Sequence, residues 1–99
     1  LYLGMKQSPT YLPFRINASI VLKDMGKNRE ALEMARKAYD IAPLDFDANY
    51  HLADALRLNG MTGDAIKKAE AAAGYAQDAG RRDAALKLLA GLGAPHAIR

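Results

Sequence analysis

The sequence predicts an all-α fold in which helical hairpins stack into a solenoid, and three observations support this prediction. The chain of 99 residues contains 20 alanines but only eight β-branched residues, which favours helices and leaves little from which to build a sheet. Apolar residues recur at close to the 3.6-residue period of a helix. The sequence also matches itself at a fixed step, which is typical of proteins that stack one supersecondary unit on the next.

The repeat step is the separation of Leu22 from Leu56 along the chain. Shifting the chain by this step aligns glycine, alanine and leucine positions, which are the residue types that determine turns and close packing. One block of the chain holds six identical pairs, which are Leu22 with Leu56, Gly26 with Gly60, Ala31 with Ala65, Ala35 with Ala69, Ala38 with Ala72, and Ala42 with Ala76. We therefore expect each unit to contain the same pair of helices.

The first complete unit supplies start and stop signals for both of its helices. Apolar positions over about Tyr11–Asp24 follow the helical period, and Gly26 can adopt the left-handed conformation that ends a helix. Asn28 is a favourable N-cap for the second helix. That helix is expected to end near Ile41, because the ring of Pro43 prevents its continuation.

The second unit repeats these signals up to its last turn. Asp45 is expected to cap a third helix that ends at Gly60, and Thr62 is expected to cap a fourth. Gln77 stands where the first unit has its proline. Without that stop signal, the fourth helix is expected to continue to Gly80.

The two ends of the chain differ in character. A last short helix is predicted over roughly Arg82–Leu92, after which Gly93 and Pro95 end regular structure. Its charged residues suit the water-facing side of a capping helix, so we expect a natural end of the solenoid here. The sequence opens on Leu1 rather than Met, which indicates a fragment of a longer protein.

Four alanines in the second helix of each unit form a stripe of small residues. They follow the spacing i, i+4, i+7, i+11, which places them on one helix face. A face without bulk lets the neighbouring helix approach closely, and leucines fill the remaining space. The stripes consist of Ala31, Ala35, Ala38 and Ala42, then Ala65, Ala69, Ala72 and Ala76.

This frame of small residues resembles the tetratricopeptide repeat family. The residues that carry the resemblance are Ala18, Ser19, Leu22, Gly26, Ala31, Ala35, Ala38 and Pro43 in one copy, and Leu52, Ala53, Leu56, Gly60, Ala65, Ala69 and Ala72 in the next. The chain departs from the family at Ala35 and Ala69, where an aromatic residue is common, and at Gln77. It also lacks the family's aromatic residue early in each first helix.

The resemblance implies a single right-handed solenoid of helical hairpins over residues 1–99. Residues 1–9 would be the end of a preceding repeat, 12–45 and 46–79 two full repeats, and 80–99 a capping helix with a tail. In the family, the first helix of each repeat lines a concave groove that binds peptides or partner helices. The matching positions are Ile16, Asn17, Ile20, Lys23 and Asp24, then Tyr50, His51, Asp54 and Arg57.

The chemistry of these positions narrows the expected ligand. Ile16 and Ile20 stand where the family's clamp for a C-terminal carboxylate requires Lys and Asn, so the resemblance does not extend to that clamp. An apolar floor, the amphipathic Tyr50 and several charges suit an amphipathic segment better than an acidic tail. The alternative is that these residues are solvated or pack on a missing repeat.

Catalytic, metal and nucleic-acid functions find little support in the sequence. No nucleophile elbow, phosphate loop or zinc-protease motif is present, and there is no Cys, so we expect neither an active site nor a cofactor. Asp47, His51 and Asp54 share a helix face, but one helix supplies no fourth metal ligand. The net charge of +3 arises from interleaved signs, whereas a nucleic-acid binder usually shows a basic stripe.

The sequence therefore predicts a protein–protein interaction scaffold. The alternative is a C-terminal accessory domain of a larger bacterial enzyme, such as a membrane glycosyltransferase or a polysaccharide polymerase, which carry tetratricopeptide tails of this kind. Leu1, Tyr2, Leu3 and Met5 lack a partner helix, so dimerisation through this half-repeat is a further possibility. No segment is apolar and long enough to span a membrane, and the absence of Cys fits the cytoplasm and the periplasm equally.

Overall fold

The computed structural model describes residues 11–93, which form five helices and no strand. The helices are α1 (Tyr11–Asp24), α2 (Asn28–Ile41), α3 (Phe46–Leu58), α4 (Thr62–Tyr75) and α5 (Ala79–Gly91). The all-α prediction is confirmed for this part of the chain. The predicted half-repeat at residues 1–9 and the tail beyond residue 93 lie outside the described residues. None of the five described helices has the length and apolar character needed to cross a membrane.

The helix boundaries recur at the step found in the sequence. Asn28 and Thr62, the first residues of α2 and α4, are one repeat step apart, and so are their last residues, Ile41 and Tyr75. Helix α1 has the predicted bounds, and α2 ends at Ile41 as predicted but begins at Asn28 itself. The self-similarity of the sequence therefore corresponds to a repeated local structure.

The two glycines of the repeat end α1 and α3 in the same way. Gly26 and Gly60 have φ angles of 78° and 77°, which only glycine adopts without strain. After Gly26, the backbone N–H of Lys27 donates to the oxygen of Leu22 at 2.8 Å. The same bond joins Met61 to Leu56 at 2.9 Å, so both helices end in a Schellman motif.

Two of the predicted N-caps are wrong. Asn28 and Thr62 are the first residues within their helices, and the capping positions belong to Lys27 and Met61, which make no capping side-chain bond. The residue directly after the glycine closes the Schellman motif and also occupies the N-cap position, and a Lys or Met side chain offers no oxygen to accept a capping hydrogen bond. The predicted cap at Asp45 is confirmed, since its carboxylate accepts the backbone N–H of Ala48 at 3.0 Å.

The predicted course of the chain after α4 is also wrong. Helix α4 ends at Tyr75 rather than Gly80, and Ala76 adopts an extended conformation. Asp78 then caps α5 by accepting the backbone N–H of Arg81 at 2.8 Å. Turning back here buries Leu89 of α5 against α3 and α4, a contact that a longer α4 would forfeit.

The alanine stripes lie where α2 and α4 meet their neighbours. The first three alanines of each stripe are almost inaccessible to solvent, whereas the last ones, Ala42 and Ala76, are half-buried. Because these side chains are small, the leucines of the adjacent helices fill the space between the backbones. The largest described core cluster contains Leu32, Ala35, Leu52, Ala55, Leu56 and Ala65.

The odd-numbered helices form a layer of their own. Helix α3 contacts both α1 and α5 in addition to its neighbours α2 and α4. Helices α2 and α4 meet through long side chains, since Nζ of Lys68 in α4 lies 4.0 Å from the ring centroid of Tyr39 in α2. The odd-numbered helices therefore lie side by side, with α2 and α4 packed behind them.

Candidate partner-binding groove

An open groove lies between α3 and α5, on the layer formed by the odd-numbered helices. Its volume is about 530 Å³, and side chains of both helices form its walls. Three residues come from α3 and six from α5. They are Tyr50, Asp54 and Arg57, then Gly80, Asp83, Ala84, Lys87, Leu88 and Gly91.

Tyr50 is the aromatic residue of the groove, and two rings of its own helix hold it in place. Its ring stacks on Phe46 with a centroid distance of 5.5 Å and an interplanar angle of 18°. The ring of His51 meets it edge-on at 5.3 Å and 89°. Phe46 is buried against α4 and α5, so Tyr50 presents a positioned apolar surface to the groove.

Asp54 joins α1 to α3 through an ion-pair network. Lys23 of α1 donates from Nζ to Oδ2 of Asp54 at 3.2 Å. Arg57, one turn further along α3, donates from Nε and Nη2 to Oδ1 at 3.1 and 2.7 Å. Both carboxylate oxygens are thus occupied by cations of this chain.

The network determines the ionisation of Asp54. Burial of the carboxyl raises its pKa, but the hydrogen bonds from Arg57 and Lys23 outweigh this effect and hold the pKa below the ordinary value. The side chain of Asp54 is 15% exposed, whereas Lys23 and Arg57 are 35% and 43% exposed. Asp54 is therefore an ionised carboxylate that links α1 to α3, rather than a proton donor.

His51 lies beside the network and remains neutral at neutral pH. Its pKa is lowered because burial penalises the imidazolium. Asp47 and Asp54 partly oppose this effect by raising the pKa, and Lys23 lowers it further. His51 does not line the groove itself, since its ring packs against the edge of Tyr50.

Two further charged residues of the groove have no ionic partner in the described part of the chain. Asp83 and Lys87 lie one turn apart on the exposed side of α5, and neither forms an ion pair or hydrogen bond within residues 11–93. The Nη1 group of Arg57 likewise makes no hydrogen bond there. The groove therefore offers an aromatic surface together with charged groups that a ligand can reach.

The structure brings together only some of the residues expected to line a groove. Tyr50, Asp54 and Arg57 line it, and Lys23 is linked to it through Asp54. Ile16 is only 8% exposed, so it packs in the interior and offers a ligand almost no surface. The remaining expected residues, Asn17, Ile20, Asp24 and His51, do not line it.

A second, wholly apolar depression lies on α1. It has a volume of about 440 Å³ and is lined by Phe14, Asn17, Ala18, Val21 and Leu22. Phe14 and Val21 are 57% and 56% exposed. Leu22, expected in the core, is only half-buried here, whereas its repeat counterpart Leu56 is fully buried.

Sequence reasoning missed the half of the groove that α5 contributes. Asp83 and Lys87 follow Tyr50 and Asp54 at a spacing that is one position shorter than the repeat step. The connector before α5 contains three residues, whereas the connector before α3 contains four. Continuing the self-comparison with a single deletion would have identified these positions.

The described residues contain no group of three or more His, Cys, Asp or Glu side chains that could hold a metal ion. Asp54, the carboxylate shared by the groove and the Asp47–His51–Asp54 helix face, is already bound by Lys23 and Arg57.

The comparisons with known proteins add no relative, since no family model and no curated protein matches the chain.

Proposed function

We propose that this chain is a protein-interaction module that binds a peptide or helical segment of a partner between α3 and α5. The observation that carries the proposal is the open groove, which is lined by the aromatic ring of Tyr50 and by charged side chains of both helices. Sites that bind protein segments typically combine an aromatic anchor with a polar rim. A groove between two neighbouring helices that offers one aromatic ring and several charged side chains suits an amphipathic ligand.

The repeated hairpins support the same proposal at the level of architecture. Boundaries of helices recur at the repeat step, and the odd-numbered helices form one layer, as in a stacked solenoid of the tetratricopeptide type. In such an arrangement, the layer of first helices provides an extended surface for a partner. The module acts by binding, with no chemistry of its own.

A random peptide library displayed on phage tests the proposal directly. We expect the immobilised protein to select peptides whose affinity falls about tenfold in the variant Tyr50→Ala, because the aromatic anchor is lost. Tyr75→Ala is the matched control, since Tyr75 lies outside the groove and is 38% exposed. A second variant, Ala84→Gln, narrows the groove without removing a contact of the Tyr50 ring.

The variants can be compared when each keeps the helical circular dichroism spectrum of the wild type, which shows that it is folded. Loss of binding with Tyr50→Ala and Ala84→Gln, but not with Tyr75→Ala, supports the groove. Selected peptides that bind all variants equally would place the interaction elsewhere on the molecule. Failure to select any peptide would favour the accessory-domain alternative, in which the partner belongs to the same parent chain.

A further inference from the structure

The free charges of the groove are separated along its length. Tyr50 and Asp83 are each the fifth residue of their helices, whereas Arg57 and Lys87 lie in the later halves. Helices α3 and α5 each follow a short connector on either side of α4, so they run in the same direction. The carboxylate of Asp83 therefore lies toward one end of the groove, and the two cations lie toward the other.

At the cationic end of the groove, positively charged side chains outnumber the carboxylates within residues 11–93. Asp54 also lines the groove, but Lys23 and Arg57 already donate hydrogen bonds to both of its oxygens. Lys87 has no anionic partner within the described residues, and the Nη1 group of Arg57 is free to donate. Two cationic groups, those of Lys87 and Arg57, thus line the groove together with the apolar side chain of Leu88.

We propose that the occupant of the groove is a protein segment in which an acidic side chain flanks an apolar one. The apolar side chain packs on Tyr50 and Leu88, and the carboxylate binds Lys87 and Nη1 of Arg57. This inference rests on the proposed function and adds the chemistry of the partner. A segment of opposite polarity would place a cation against Lys87, which like-charge repulsion disfavours.

The test is a change of ligand preference rather than a loss of binding. Wild-type protein is expected to select peptides enriched in Asp or Glu next to a large apolar residue. The exposed Lys87 can be reversed in charge by Lys87→Glu, which should shift the enrichment to Lys or Arg at the same position. Lys67→Glu is the matched control, because Lys67 is an exposed lysine of α4 outside the groove.

A selected synthetic peptide provides the quantitative measurement. Replacing its acidic residue by the neutral amide should weaken binding to the wild type about tenfold, as expected for the loss of a charge-assisted hydrogen bond. The same replacement should change binding to Lys87→Glu by less than twofold or improve it. Binding to Lys67→Glu should follow the wild type.

The results distinguish this inference from the function on which it rests. Peptides that depend on Tyr50 but show no acidic preference, or keep that preference in Lys87→Glu, would overturn the inference and leave the groove as the binding site. Peptides that bind independently of Tyr50 would overturn both. An acidic preference that reverses only in Lys87→Glu supports both.

Discussion

Asn59, at the C-terminal end of α3, donates a hydrogen bond from Nδ2 to the backbone oxygen of Asn28 at 2.9 Å. Asn28 is the first residue of α2, so this bond joins the end of one hairpin helix to the beginning of another 31 residues earlier. The same amide donates to the oxygen of Ala55 at 2.8 Å. One side chain thus stabilises both the end of α3 and its contact with α2.

We expect Asn59→Ala to lower the free energy of unfolding by about 1 kcal/mol, because it removes two partly buried hydrogen bonds. The matched control is Met25→Ala, which alters the equivalent position of the preceding repeat. Met25 is exposed, and its removal should change stability by less than about 0.5 kcal/mol. Urea unfolding at neutral pH measures both variants, and equal effects would refute a specific role for Asn59.

Gly60 and Gly63 should respond oppositely to the same substitution. Gly60 has a φ of 77° and open space around it, so Gly60→Ala introduces backbone strain of roughly 1–2 kcal/mol without a clash. Gly63 lies in the first turn of α4 with ordinary φ and open space, so Gly63→Ala should stabilise by about 0.5 kcal/mol. Thermal unfolding of the two variants measures the difference. A stabilising Gly60→Ala would show that the turn does not need a left-handed residue.

The sequence predicted most of the helices because their signals are local. Gly26 and Gly60 end α1 and α3 as expected, since only the local backbone conformation determines where a Schellman motif forms. The end of α4 was missed because it depends on tertiary packing. Leu89 returns to the core only if the chain turns after Tyr75, and the local signal for this turn is Asp78, the N-cap of α5.

Polar contacts between a helix and a connector could not be predicted from the sequence either. Asn49 resembles any polar helix residue, yet it is 1% exposed and donates from Nδ2 to the backbone oxygens of Pro43 and Asp45 at 2.9 and 2.8 Å. Its role depends on the path of the connector before α3. The candidate site was predicted in part for a similar reason, because the spacing placed Tyr50 on a helix face but did not bring α5 beside it.

Acid should remove the contribution of Asp54 to stability. Its lowered pKa in the folded state means that the stabilisation is present above the ordinary carboxyl value of 3.8 and is lost as the pH falls through the folded value. Asp54→Asn should therefore cost about 1 kcal/mol at neutral pH, a modest amount since Lys23 and Arg57 are partly exposed. Once the pH is low enough to protonate Asp54 in the folded protein, the variant and the wild type should converge.

Urea unfolding at several pH values measures this convergence, with Asp24→Asn as the control. Asp24 is an exposed carboxylate of α1 that forms no hydrogen bond within residues 11–93. Its removal changes the net charge by the same amount without breaking the link between α1 and α3. A constant difference between Asp54→Asn and the wild type at all pH values would show that the ion pairs with Lys23 and Arg57 contribute nothing to stability.

Mild acid should act first through His51. Burial lowers its pKa in the folded state, so the unfolded chain takes up a proton at higher pH than the folded chain. Stability is therefore expected to be constant above the ordinary value of 6.5 and to decline as the pH falls below it. In His51→Gln this decline should be smaller.

A titration followed by NMR measures the pKa of His51 directly, with His51→Gln identifying its imidazole signals. We expect a value below 6.5 in the wild type and a still lower value in Asp47→Asn, because the carboxylate of Asp47 favours the imidazolium. A titration at or above 6.5 would show that the neighbouring carboxylates outweigh burial. For a value above 6.5, protonation of His51 would stabilise the fold through Asp47 and Asp54 of its own helix, and stability would increase as the pH falls through that value.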